Sequence, residues 1–248
     1  MKKLIGILTV LVLMLNIPTL TQANTSVTSS STSVQVKRLY GQDRYQTATK
    51  IADEVALENG IDFSKGQKFK AVVLASGNDY PDAIAGAPLA QLYGGSILLV
   101  DRTPEESTTT WDYIRTHVNS EGQVFILGGK GVIPESFTNY LQSMGFNVGN
   151  IHQIGGKDRN ETSLLIAKEL LNPAQTAFLV SDSNFYDALT IASSAVSLNI
   201  PILLVSPSGL SPEQKSFSDF LTGVMSVGEI QKTIAVSYPK AVGFSGLK

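Results

Sequence analysis

The chain has 248 residues, room for one large domain or two of about 100 residues each, and its 43% hydrophobic and 16% charged residues describe an ordinary globular protein with few surface charges. Zero cysteines exclude thiol catalysis, cysteine–zinc sites and thiol redox chemistry. With 19 basic against 21 acidic residues, net charge advertises no polyanion ligand, and an anion has to use a local basic patch.

Taken in order, Lys2 and Lys3 precede an apolar run from Leu4 to Ile17, and Thr21-Gln22-Ala23 offers a small-residue cleavage site. Residues 1–23 therefore read as a secretory signal peptide, too short for a comfortable membrane span and with no Cys behind it to carry a lipid. Its removal leaves 17 basic against 21 acidic residues and no stable membrane span. A cysteine-free exported chain fits a bacterial surface. Residues 24–36 are a Thr/Ser-rich linker.

From there helices and apolar strands alternate. Asp43, with Gln46 three residues on, predicts a helix to about Asn59; Lys70–Ala75 is a strand; Pro81 starts a helix to about Tyr93, where Gly94-Gly95 stop it. Ile97-Leu98-Leu99-Val100 reads as a buried strand, Thr103-Pro104-Glu105 as a helix start, Val124–Leu127 as a strand, and Pro134 as the start of a helix ending at Gly145. Strands without polar alternation, separated by helices, predict an α/β fold of tandem units, mainly parallel sheets flanked by helices in three layers.

The order then repeats. Gly41-Gln42-Asp43-Arg44-Tyr45-Gln46-Thr47 is answered 115 residues later by Gly156-Lys157-Asp158-Arg159-Asn160-Glu161-Thr162. Thr176–Val180, a helix from about Asp187 to Leu198, Ile202-Leu203-Leu204-Val205, a helix opened by Ser211-Pro212-Glu213 and a strand over Val224–Val227 follow. The tail from Ile230 is short of a full last helix and strand, giving repeats over 37–150 and 151–248, the second trimmed.

Asp43 and Asp158 read as helix N-caps. A cation at the first helical position opposes the helix dipole, so Arg44 and Arg159 need partners: a carboxylate across an interface or an anionic ligand. Ser76-Gly77-Asn78-Asp79-Tyr80-Pro81-Asp82-Ala83 recurs 105 residues later as Ser181-Asp182-Ser183-Asn184-Phe185-Tyr186-Asp187-Ala188, between a strand's C-terminal end and a helix, where open parallel sheets bind ligands. Asp82 and Asp187 read first as capping groups; with Asp79 they are also candidates for a hard cation such as Mg²⁺ or Ca²⁺. Enzymatic constellations fail: Gly-x-Ser-x-Gly is absent, and His117 and His152, the two histidines, are unrepeated and read as surface or loop residues. Gly128-Gly129-Lys130-Gly131 reads as a turn, Trp111 as core, and Lys37-Arg38 is too short to bind nucleic acid.

Together, Gly-x-Asp-Arg-x-x-Thr, Ser-Gly-x-x-Tyr-Pro-Asp-Ala, the Ile-Leu-Leu strands and a strand ending in Gly-Gly resemble the type 2 cell wall binding repeats of Gram-positive surface proteins. The resemblance implies a non-catalytic, secreted module at the cell wall or cell surface. It would attach non-covalently to an anionic secondary wall polymer, without cofactor, metal or nucleic acid. The candidates for polymer contact or repeat interface are then Asp43, Arg44, Thr47, Asp158, Arg159, Thr162, Ser76, Asp79, Tyr80, Asp82, Ser181 and Asp187, with Ile97, Leu98, Leu99, Ile202, Leu203 and Leu204 from the segment the family associates with attachment. Such families combine three repeats with an effector region, whereas two are legible here. A homo-oligomer and a wall hydrolase partner are both implied. The alternative function is a metal-dependent hydrolase or phosphoester-acting enzyme built on Asp79, Asp82 and Asp187.

Overall fold

The computed structural model describes residues 36–170, 176–219, 221, 223–226 and 241–243. The signal peptide, nearly all of the linker and most of the tail from Ile230 lie outside the described residues. From Arg38 onward the chain is one compact unit.

Helix α1 (Arg44–Glu58) leads into strand β1 (Phe69–Ser76), α2 (Pro81–Leu92), β2 (Ser96–Val100), α3 (Thr108–His117), β3 (Val118–Leu127), α4 (Ser136–Ser143) and β4 (Ile151–Ile154). These strands form one sheet in the order β2-β1-β3-β4, every pairing parallel. The second set is α5 (Arg159–Glu169), β5 (Thr176–Ser181), α6 (Phe185–Leu198), β6 (Ile202–Val205), α7 (Pro212–Asp219), β7 (Gly223–Ser226) and β8 (Ala241–Gly243). Its sheet has the same order, β6-β5-β7-β8, again wholly parallel. The α/β class and the alternation of elements are as the apolar, non-alternating strands predict.

Strand β4 is an element the sequence reading did not give, and two boundaries differ from that reading by more than two residues. Thr103-Pro104-Glu105 forms a turn, and α3 begins only at Thr108. The turn is held from outside the segment: the Trp111 indole donates to the Pro104 carbonyl at 2.6 Å, and the Asp101 N–H donates to Ser107 Oγ at 2.9 Å. The matching Ser211-Pro212-Glu213 does start a helix, with the Gln214 N–H donating to Ser211 Oγ at 3.2 Å. Strand β3 begins at Val118, six residues before the expected strand, because Val118 pairs with Phe69 ahead of a register shift near Gly122.

Helices pack on both faces of each sheet, leaving edge strand β2 only partly covered on one of them. In the first repeat, Phe69, Leu74, Leu98, Ile126, Trp111 and Phe137 fill one side. On the other side Val73, Phe125 and Leu127 meet Ala85 and Leu89 of α2, joined by Ile166 of α5 and Leu170 at its C-terminal end. In the second repeat Leu164, Leu179, Leu203 and Phe217 form one core. Its other face, Phe178, Val180, Ile202 and Leu204, packs on α6 and on Ile84 of α2. Helix α2 is thus shared between the two sheets. Its sequence suits that place: Gly86 sits where a Cβ would run into the Leu127 side chain, and small residues let a helix lie close against a sheet. Each large side chain buried at this joint contributes roughly 1.5–3 kcal/mol.

Candidate functional site

The recurring Gly-x-Asp-Arg-x-x-Thr stretch is a clasp that starts a helix. In the first repeat the Gln46 N–H donates to Asp43 Oδ1 at 2.7 Å, the Gly41 N–H donates to Thr47 Oγ1 at 3.0 Å, and Thr47 Oγ1 donates to the Asp43 carbonyl at 2.7 Å. In the second, the Glu161 N–H donates to Asp158 Oδ1 at 2.8 Å and the Gly156 N–H to Thr162 Oγ1 at 3.0 Å. Side chains three residues beyond the caps return to the backbone: the Gln42 N–H donates to Gln46 at 3.1 Å and the Lys157 N–H to Glu161 at 2.8 Å. A Cβ on Gly41 or Gly156 would collide with residue 46 or 161. Asp, Thr and Gly are therefore fully engaged within the backbone turn.

The arginines are not, and they diverge. Arg159 Nη1 donates to the Asp182 carbonyl at 3.1 Å, while Nη2 reaches back to the first repeat and pairs with Asp79 Oδ2 at 3.2 Å. Arg44 is exposed; its Nη2 donates to Asn78 Oδ1 at 3.1 Å and its guanidinium lies over the Tyr45 ring, without a carboxylate partner among the described residues. The strand-to-helix turns are built alike, with Ser76 Oγ accepting from the Asn78 N–H at 3.1 Å and Ser181 Oγ from the Ser183 N–H at 3.2 Å. Tyr80 crosses to the second repeat and meets Phe185 edge to face, centroids 4.6 Å apart.

Neither Asp82 nor Asp187 caps its helix. Helix α2 starts at Pro81, whose ring presets the helical φ, with no side-chain cap and with Asp82 in its first turn. The cap of α6 is Asn184, which accepts from the Tyr186 N–H at 3.1 Å and donates to Asp187 Oδ2 at 3.0 Å.

Asp82 instead faces a cavity of about 910 Å³ where β1, β3, β4 and β5 all end. Ser76, Asp79 and Asp82 line it from the first repeat; Asp158, Arg159, Asn160, Asp182 and Ser183 line it from the second. Burial, and next the charge of Asp79, push the Asp82 carboxyl up to about 6, against the opposing pull of Arg159. Asn160 donates to Asp182 Oδ2 at 2.9 Å, and its own Oδ1 is buried without a partner. Lys130 is held by Glu135 at 2.8 Å. Lys157, also on the rim, is exposed and has no ion pair among the described residues. The site thus sets hydroxyl-accepting carboxylates beside the exposed ammonium of Lys157, a combination that can take an anion together with neighbouring hydroxyls.

Several of these groups were not singled out from the sequence. Asn160 and Asp182 carry no motif of their own. The glycine loops did carry a signal, a Gly-Gly pair after each of two adjacent strands. Gly128-Gly129 and Gly155-Gly156 lie so close that a Cβ on Gly155 would meet the Gly128–Gly129 backbone, and Gly128 has φ +117°. The turn is real, and it also forms one wall of the cavity.

The other candidates fall elsewhere. Leu98 is core, but Ile97 and Leu99 are half-buried, so β2 is open on one face where a fully buried strand was expected. Ile202, Leu203 and Leu204 are fully buried. Asp187 does not line the cavity, so Asp79, Asp82 and Asp187 do not assemble; no group of three acidic or histidine side chains among the described residues could hold a metal. His117 stacks on Tyr113, with centroids 4.3 Å apart, and exposed His152 bonds Gln123 at 2.6 Å. No helix of the described residues is long and apolar enough to cross a membrane.

Comparison with known proteins gives the arrangement a family. The chain is 25% identical over 219 residues to the N-acetylmuramoyl-L-alanine amidase LytC of Bacillus subtilis (strain 168), a match covering 85% of this chain and 40% of that one. It is 26% identical over 217 residues to the Amidase enhancer of the same organism, covering 84% and 27%. The chain therefore spans less than half the length of these relatives. Among solved structures, Cwp8 from Clostridium difficile superposes with a TM-score of 0.68 at 24% identity over 84% of this chain and 35% of its own, and Cwp6 from the same organism with 0.67 at 24% over 87% and 36%, which shows a shared fold. The sequence profile of cell wall binding domain 2 (CWB2) matches residues 38–138 and 153–236. The chain belongs to the cell wall binding domain 2 family.

Proposed function

We propose that this cell wall binding protein is a non-catalytic attachment module that holds an anionic secondary wall glycopolymer, non-covalently, in the cavity between its repeats. Residues 1–23 direct secretion, residues 24–36 act as a spacer, and repeats over 37–150 and 151–248 do the binding at the cell surface. The observation that carries the reading is the cavity itself. Lys157, exposed and without an ion pair among the described residues, stands beside Asp79, Asp82 and the buried Asn160 Oδ1, which has no partner among the described residues. A phosphate or carboxylate of the polymer binds at Lys157 and its sugar hydroxyls bind at the carboxylates. The test is sedimentation of the protein with purified wall before and after the anionic polymer is stripped. Retention is expected to vanish on stripped peptidoglycan and to weaken with salt; equal retention on both overturns the reading.

A second reading is favoured by one comparison, the relative named Amidase enhancer. Here the protein acts beside a wall hydrolase in trans. Adding it to a wall amidase then raises the rate of wall lysis, and the increase persists on polymer-stripped wall. A metal-dependent hydrolase on Asp79, Asp82 and Asp187 finds no support in where those residues lie.

A further inference from the structure

Most charges lining the cavity between the repeats are already engaged. Asp79 pairs with Arg159 at 3.2 Å and accepts the Tyr80 N–H at 2.9 Å. Asp158 caps α5, and the Asp182 carboxylate accepts from Asn160 at 2.9 Å and from the Ser183 hydroxyl at 2.8 Å. Lys130 is held by Glu135. Two charged groups of the lining remain. Lys157 is exposed and without an ion pair among the described residues, and Asp82 has neither a hydrogen bond nor an ion pair with any described residue.

The surroundings of Asp82 are poor in donors. It stands in the first turn of α2 against the glycine loop that follows β3, where a Cβ on Gly128 would come within 3.0 Å of Asp82 Oδ2. The loop closes on the carboxylate without bonding to it, because the Gly128 N–H is committed to the Ile154 carbonyl at 2.9 Å. The charges sharing the cavity with Asp82 are Asp79 on its own turn, Lys157, Asp158 and Arg159 around the start of α5, Asp182 after β5, and Lys130 after β3. Burial first and Asp79 second hold the Asp82 carboxyl at about 6, with Arg159 pulling the other way. Asp158 and Asp182 differ, since the donors they accept from favour the charged form.

We propose that the cavity takes up a proton at Asp82 when an anion of the polymer enters, so that attachment is proton-linked and tightens as the surroundings acidify. This rests on the reading that an anion binds beside Lys157. A further negative charge in the same enclosed space opposes ionised Asp82 as Asp79 already does, and by linkage the ionised form binds the anion less well. Above about pH 6 the free protein carries that charge and has to acquire a proton on binding; below it the proton is already in place. Affinity therefore rises by up to about tenfold per pH unit as pH falls from 8 towards 6, and levels off below, because one carboxyl takes up at most one proton.

The test is calorimetric titration of the full mature chain with the anionic polymer released from purified wall, from pH 5 to pH 8. The wild type is expected to show the rise and plateau in affinity. At pH 7 its binding heat should change with the ionisation enthalpy of the buffer, by an amount equivalent to at most one proton taken up per site. Asp82→Asn keeps the shape of the side chain and removes the charge. It is expected to bind at pH 8 about as tightly as the wild type does below pH 6, with a flat profile and no buffer-dependent heat. Titration of the polymer's own groups acts on both proteins and cancels in their ratio. Asp79→Asn removes the neighbouring charge, lowers the proton affinity of Asp82 and moves the plateau to lower pH. The same pH profile in the wild type and Asp82→Asn, or no proton uptake by the wild type at pH 7, overturns this inference and leaves polymer attachment standing. No binding at any pH overturns both.

Discussion

The two repeats carry the same opening stretch and the same sheet order, yet equivalent residues lie in different surroundings. The clasps around Asp43 and Asp158 share the cap to the third helical N–H, the Gly N–H to Thr bond and the return of residue 46 or 161 to the backbone. Four residues beyond each Thr the side chains part company: Ile166 is enclosed by α2, and Ile51 is open. Arg159 spans the joint to Asp79, while Arg44 stays within its own repeat. Local chemistry is duplicated with the sequence; burial and pairing are set by what stands next door.

The largest effect should come from the isoleucines. Ile166→Ala removes a fully enclosed side chain from the joint and is expected to cost about 2–5 kcal/mol in urea unfolding. Ile51→Ala, at the open counterpart, should cost less than about 1 kcal/mol for the same deletion. Equal losses would show that the two positions are equally enclosed in solution and would break the comparison.

Asp82 is expected to act in the opposite direction. Its carboxyl titrates at about 6 in the fold because burial and Asp79 disfavour the charge, against about 4 when unfolded. The folded state therefore binds this proton more tightly. Its contribution is fully present below about pH 4, is lost as pH rises to about 6, and stays lost above. Asp82→Asn removes the penalty and should stabilise the protein at neutral pH by up to about 3 kcal/mol, flattening stability across that window. Asp187→Asn, which retains an acceptor for Asn184, should change little. Thermal melts from pH 4 to pH 8 check both outcomes; an unchanged pH profile in Asp82→Asn would place its carboxyl in water.

The clasps give the comparison an internal control. Asp43→Ala and Asp158→Ala each remove one side-chain acceptor for a helix N–H and should cost about 0.5–2 kcal/mol, alike in both repeats. A clear inequality would mean that one clasp also carries a load from the joint.

These cases show what was legible in the sequence. The clasp was, because its bonds span six residues or fewer and its residue types recur together. The parallel sheets were, because their strands are apolar throughout. The late start of α3 was not: it depends on an indole donating to Pro104 from the following helix, while the same-looking Ser211-Pro212-Glu213 starts a helix unhindered. The cavity was half legible. Ser76, Asp79, Asp82, Asp158 and Arg159 come from recurring motifs, but Asn160, Asp182 and the Gly155 contact acquire meaning only when the repeats are packed together. The partly open face of β2 was illegible for the same reason, since Ile97-Leu98-Leu99 and Ile202-Leu203-Leu204 are identical strings and only the second is fully closed, by α6 together with Ile84 of α2.

The smallest effect on stability should come from the arginines, where the comparison bears most directly on binding. Arg159 and Asp79 form an ion pair between side chains 40% and 54% exposed, so solvent screens it. Pairs of this kind contribute roughly 0–1 kcal/mol, and Arg159→Ala should cost about that much, with Arg44→Ala nearer zero. A double-mutant cycle with Asp79→Ala should return the coupling for Arg159 and none for Arg44. Wall retention then separates two roles that stability cannot. If Arg159 serves only the joint, Arg159→Ala and Asp79→Ala lose retention together and to the same degree. If its guanidinium also touches the polymer, Arg159→Ala loses more, because removing Asp79 leaves the cation in place and frees it for an anion.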